Sequence, residues 1–392
     1  METSKYTVAD VFNRFAPGFI ENNHITYDQL KVINHITKCR TAAMGGHWKA
    51  CKVCGVLKVH YSSCGNRHCP SCQGVNKEKW IMEREYDLLP VKYFHVVFTI
   101  PSQLRLLFMQ NKKLLYSLLF KCSWQTLAEF AADPRQKMEG KIGSIAILHT
   151  WTQKLIYHPH IHFIVPEGGI DKYDQWKKSK GSRDFLFHVN ALAAKFRGKL
   201  LHNINELYVN NELRLNGKLS VLKNKKQFLS LKDSLYKLKW VVNCKEPFNG
   251  PSSVLEYLGR YTHKIAISNY RILDIDDKGV TFSYLDRNDN DKKKSLWLNG
   301  EKFIQRFLWH VLPKGFTRIR HYGFLSCRVK KDMLPLIRKL LNHPEPGKKP
   351  KLTIRDVMFK KWGIDTNICN ECKEGIMMVV EEIIAIRGSP AA

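Results

Sequence analysis

Tyr93 to Ile100 reads YFHVVFTI, a run of β-formers that Pro101 brings to an end, and it predicts a buried strand. Residues 103–131 read as helix. IGSIAILHTW and KLIYHPHIHFIVP then look like two strands joined by a short turn, followed by the loop Glu167-Gly168-Gly169. Helices are expected near 190–207 and 225–237, a strand at KWVVN, and a further helix in SSVLEYLGRYTHK with Ser252 or Ser253 as its cap. Ahead of all these, KEKWIMEREYDLL has helical periodicity and mixed charge, and links what precedes it to the rest. Irregular alternation of strands and helices predicts an α+β domain over about 90–275. It follows a small cysteine-rich domain with its linker helix (1–85) and precedes a basic region (276–392), where HPEPGKKPK is the most linker-like stretch.

Charge narrows the choice of partner. Among 392 residues, 64 Lys and Arg face 35 Asp and Glu, a net charge of +29 spread along the chain. Self-repulsion on this scale is costly unless a polyanion neutralises it, so nucleic acid is the leading partner and an anionic membrane surface the runner-up. No run approaches the roughly 18 apolar residues of a membrane span, and METSKYTVADVFNRFAP lacks the features of a signal peptide. A cytosolic protein is expected. Reducing thiol pools there make metal binding a better use of eleven cysteines than disulfides.

The cysteines crowd between Cys39 and Gly74. Cys51-x2-Cys54 and Cys69-x2-Cys72 are two knuckles with the spacing of a four-thiolate zinc ribbon, a closed structural site. Cys39, His47, Cys64 and His68 form a candidate second tetrad, with His60 as a spare. The late pair Cys369-x2-Cys372 is half a zinc site, with no evident second half.

In a strand, His158, His160 and His162 of YHPHIHFIVP share one face. His160 and His162 can converge on one ion, and His149, on the preceding strand, comes alongside if the two pair antiparallel. Three protein ligands with open positions describe a catalytic metal; His158 is a reserve ligand or phosphate contact, and Gln153 another candidate. Tyr257 and Tyr261 stand four apart, on one face of a helix. Arg260, His263, Lys264 and Arg271 surround them with positive charge, and Arg260, Lys264 and Arg271 are candidate DNA-phosphate contacts.

HPHIH and YLGRYTHK, preceded by NRHCPSCQG and followed by LPKGFTRIRHYGFL, resemble the IS91-type rolling-circle transposases, of the HUH class of single-strand endonucleases. The likeness covers about residues 10–330. His149 is similar in type and separation to the third metal ligand of conjugative relaxases, and the two tyrosines match the two-tyrosine subclass. The loop PEGG departs from the pattern by one glycine. The resemblance implies an HUH-type antiparallel sheet flanked by helices and Mg²⁺ or Mn²⁺ on His149, His160 and His162. It implies Zn²⁺ in the N-terminal domain. Single-stranded DNA at the ends of a transposable element would be cut and rejoined through a 5′-phosphotyrosine, with Tyr257 and Tyr261 as nucleophiles and Tyr261 the favoured first. Two other readings remain: a replication initiator or relaxase of the same class, or a non-enzymatic zinc-dependent nucleic-acid-binding protein.

Overall fold

The computed structural model describes residues 5–136, 138–178, 186–248, 253–254, 259, 266–347 and 349–386. Two helices come first, α1 Val8–Asn22 and α2 Tyr27–Lys38. Each opens on a reciprocal cap, Thr7 with Asp10 and Thr26 with Gln29, in which side chains satisfy amides that the first turn leaves unpaired. Then come β1 Gly46–Cys51, β2 Leu57–Tyr61, α3 Gln73–Glu85, β3 Tyr93–Thr99, α4 Arg105–Gln110, α5 Lys112–Ala132, β4 Gly143–Trp151, β5 Tyr157–Pro166, a hairpin of β6 Gly168–Ile170 and β7 Trp176–Lys178, α6 Val189–Val209, α7 Lys225–Lys237 and β8 Val242–Phe248. The remainder holds β9 Ile272–Ile275, β10 Gly279–Asp286, β11 Lys292–Asn299, α8 Gly300–Trp309, β12 Ile319–Gly323, α9 Lys330–Leu340, α10 Ile354–Trp362 and β13 Met377–Ile383.

The central sheet has five strands in the order β12-β4-β5-β3-β8, with every neighbouring pair antiparallel. Alternation along each strand divides its side chains between two faces. Phe94, Val96 and Phe98 of β3, Ala146 and Leu148 of β4, and Ile161, Phe163 and Val165 of β5 meet α5 and α6 in the largest core. On the other face Ile145, Ile147 and Ile164 pack with Leu88, Leu89, Val254, Phe324, Leu334 and Ile337. Continuing that second face along β4 and β5 leads to His149, His160 and His162.

The expected helix over 103–131 is two helices in the structure. Asn111 interrupts it at φ −119°, ψ 38°. Its amide nitrogen donates to the carbonyls of Leu107 and Arg214, at 3.0 Å each, and its Oδ1 accepts from the Arg214 amide at 2.8 Å. A tertiary anchor therefore overrides helical propensity at this position.

Cores run across the expected domain boundaries. Val8, Val11, Phe12, Val32 and Ile33 are buried together with Ile272, Val280, Phe282, Phe303, Ile304 and Phe307. The edge strand β12 of the central sheet comes from residues 319–323. β13 returns to pair antiparallel with β1, completing a three-stranded sheet in the order β13-β1-β2. Among the described residues, no helix is long and apolar enough to cross a membrane.

Phe12 and Phe307, both fully buried, meet edge-to-face with ring centroids 5.1 Å apart. Phe12→Ala should cost about 3–5 kcal/mol. Hydrogen exchange should register the loss in residues 272–309 as well as in α1, because the two share one core.

Candidate functional site

Antiparallel pairing sets His149 directly opposite His160, and His162 follows His160 on the same face. One nitrogen from each of the three rings lies within 4.8 Å of the other two, with ring centroids 5.5 Å (149–160), 4.4 Å (149–162) and 4.8 Å (160–162) apart. His160 Nδ1 donates to the His158 carbonyl at 2.6 Å. That bond fixes the tautomer and presents Nε2 as the ligand atom. His162 Nδ1 lies 2.7 Å from His95 Nε2 on the neighbouring strand, and the two rings stack 5.0 Å apart. For His162 to bind metal through Nε2, its Nδ1–H must donate to His95. Burial, then the charge of His158, holds His160 down to about 3, and burial keeps His162 well below its ordinary range. Both are neutral near pH 7, the state that ligation requires. The donor set fits a divalent ion, and all-imidazole ligation suits Mn²⁺ or a later transition metal better than Mg²⁺.

Neighbouring residues finish the environment. Trp151 stacks on His149 at 4.7 Å. Arg105 Nη2 donates to His158 Nδ1 at 3.0 Å, so His158 is turned to the arginine while its carbonyl positions His160. Burial, Arg105 and Arg287 together lower His158 to about 4. Gln153 lies in the turn after β4, where its backbone carbonyl accepts from Arg271. His95, Arg105 and Trp151 were not singled out in the sequence. For His95 a signal existed: a histidine inside the apolar run YFHVVFTI, where a buried imidazole needs a partner.

The cysteines separate differently from the expected tetrads. Cys39, Cys64, Cys69 and Cys72 form one group, and Cys51, Cys54, Cys369 and Cys372 another. The proposed set Cys51, Cys54, Cys69 and Cys72 is therefore corrected. Cys72 opens α3 beside Cys39 at the end of α2, whereas Cys51 ends β1 and Cys54 lies in the turn to β2, both against the segment before β13. In the first group Sγ separations are 3.3 Å (39–72) and 3.5 Å (64–72), close to the edge of about 3.8 Å that a 2.3 Å Zn–S bond gives a tetrahedron.

The histidines of the candidate second tetrad have other partners. His47 pairs across β1–β2 with His60, rings stacked at 5.7 Å. His68 is buried, its Nδ1 donating to Asn66 Oδ1 and its Nε2 accepting from the Leu312 amide, both at 3.2 Å. Arg271, expected as a phosphate contact, directs Nε to the carbonyl of Ser283 (2.6 Å) and Nη2 to that of Gln153 (2.5 Å). Tyr257, Tyr261, Arg260, His263 and Lys264 lie outside the described residues.

Two measurements follow from this geometry. His95→Ala should weaken Mn²⁺ binding at the histidine site 10–100-fold in calorimetric titration, as loss of an outer-shell partner does, while His95→Gln, which keeps an acceptor, loses less. Cys39→Ser should lower the zinc content of the purified protein, and His47→Ala should leave it unchanged.

A family profile described as "Transposase zinc-binding domain" matches residues 11–100, and one described as "Putative transposase" matches residues 143–333. The chain is 39% identical to a "Putative transposase y4qJ" of Sinorhizobium fredii, over 100% of this chain and 98% of that protein. It is 27% identical to "Transposase for insertion sequence element IS801" of Pseudomonas savastanoi pv. phaseolicola, over 91% of this chain and 84% of the relative. No solved structure matches. A cysteine group suited to zinc, a mixed α+β architecture, the two profile matches and relatives that cover 91–100% of the chain agree, and the protein belongs to the IS91 family of transposases.

Proposed function

We propose that this transposase is a rolling-circle enzyme of the HUH class, which cleaves and rejoins single-stranded DNA at the ends of its element. The observation that carries the reading is the convergence of three imidazoles, His149, His160 and His162, at one point on the central sheet. His149, His160 and His162 would hold a divalent metal, which when bound would supply positive charge to the scissile phosphate. His95 and the His158 carbonyl hold the ligand rings, and Arg105 and Arg287 add positive charge around them.

The nucleophiles are assigned to Tyr257 and Tyr261 from the sequence. Val254, three residues before Tyr257, is buried in the cluster on the histidine face, and Gly259, between the two tyrosines, packs against Ile81 of α3. A phenol has an ordinary pKa near 10 and needs a positioned, polarised phosphate to react. The tyrosine hydroxyl gives up its proton as its oxygen attacks phosphorus in line, the bond to O3′ breaks, and the 3′ oxygen takes up a proton and leaves as a hydroxyl. The 5′-phosphotyrosine retains a phosphodiester, so the 3′-OH of a second strand reverses the exchange without ATP. Two tyrosines let two such links alternate during strand transfer, in the cytoplasm on nucleoid DNA.

Denaturing gels of protein incubated with labelled single-stranded DNA carrying the element's ends test the assignment. Wild type with Mn²⁺ should form a covalent adduct. The His160→Ala, His162→Ala double variant should bind DNA and not cleave it, whereas Tyr257→Phe with Tyr261→Phe should abolish the adduct. An adduct surviving in the double tyrosine variant would move the nucleophile elsewhere. Binding itself should weaken steeply with salt, because each phosphate contact releases counterions, with a loss on the order of 300-fold or more from 50 to 200 mM for six or more contacts to a single strand.

A further inference from the structure

We infer that Cys51, Cys54, Cys369 and Cys372 hold a second structural zinc ion, a clasp that fastens the C-terminal strand to the N-terminal sheet. Neither family profile reaches Cys369 or Cys372. The inference is independent of the chemistry assigned to the histidines.

The four ligand sulfurs lie within 4.8 Å of one another. Across the two halves, Cys51 Sγ is 3.6 Å from Cys372 Sγ and Cys54 Sγ is 3.7 Å from Cys369 Sγ. A disulfide would bring one pair to about 2.05 Å and leave the others apart. Here both cross pairs instead stand near the tetrahedral edge of about 3.8 Å that a 2.3 Å Zn–S bond gives, and all four sulfurs lie together.

The backbone around the two pairs is built alike, although the sequences CKVCG and CNECK share only their cysteines. Gly55 donates to the Cys51 carbonyl at 3.1 Å, and Lys373 donates to the Cys369 carbonyl at 2.9 Å. Both donors adopt left-handed φ, 70° and 61°. Amides also turn toward the sulfurs: Val53 and Cys54 donate to Cys51 Sγ at 3.4 and 3.5 Å, and Gly375 to Cys372 Sγ at 3.3 Å. Such donors favour thiolates. Gly375 lies so close that a Cβ there would collide with Cys51 Sγ. Each half is thus a zinc knuckle, one in the β1–β2 turn and one leading into β13. The ion completes a three-stranded zinc ribbon whose third strand comes from the far end of the chain. Lys58 and Glu371, paired at 2.6 Å, bridge the two halves outside the sulfurs.

Elemental analysis and cysteine footprinting of the full chain test the clasp together. Wild type should carry two zinc ions per chain, and Cys369→Ser with Cys372→Ser should carry one. In wild type, Cys369 and Cys372 should resist alkylation until a chelator is added, whereas Cys327, exposed in the same chain, reacts at once. One zinc per wild-type chain, or alkylation of Cys372 at the rate of Cys327 before chelation, would overturn the clasp. The footprint is read on wild type, so it holds even if the double variant does not fold.

Discussion

A slip of one residue between β4 and β5 would turn His160 and His162 toward α5 and α6 and bring Ile161 and Phe163 out of the core. Ile161 and Phe163 are fully buried, and each such burial is worth about 1.5–3 kcal/mol. The apolar face therefore enforces the register that sets His149 opposite His160. Chemistry on one side of the sheet is positioned by packing on the other. His95 depends on the same constraint, because β3 pairs with β5 in a register that brings its ring beside His162.

Local signals were enough to read much of this from the sequence. Helices near 190–207 and 225–237 occur as Val189–Val209 and Lys225–Lys237, and the strands bearing the histidines occur where β-forming runs put them. What could not be read is long-range. Spacing suggested that Cys51, Cys54, Cys69 and Cys72 share one ion, yet spacing reports only that each pair can form a knuckle. Which knuckles meet is decided by β13 pairing with β1 and by α2 ending beside Cys72. The sharing of one core by the first helices and residues 272–308 likewise has no local signature. Asn111 is a smaller case, its break in the helix set by Arg214 about a hundred residues later.

The excess of positive charge also divides into two uses. Arg67 donates to the carbonyls of Phe316 and Pro313, Arg271 to those of Ser283 and Gln153, Arg306 to that of Lys154, and Arg338 to that of Tyr86. Each ties together segments distant in sequence or caps carbonyls that the secondary structure leaves open. Guanidinium suits this role because its fork of donors can hold two carbonyls at once. Burial lowers Arg271 to about 10, a cost that the two carbonyls offset. A count of basic residues therefore overstates the surface available to phosphate.

The discontinuity of the N-terminal sheet has a consequence for synthesis. Cys54 and Cys369 are 315 residues apart, so at roughly 5–20 residues per second a ribosome makes the second after a delay of about 15–65 s. Throughout that interval Cys51 and Cys54 lack the two cysteines they meet in the folded protein. A chain interrupted before Cys369 would have all three site histidines and both tyrosines, yet could not finish the sheet at its own beginning. The N-terminal sheet is thus completed only once β13 has been made.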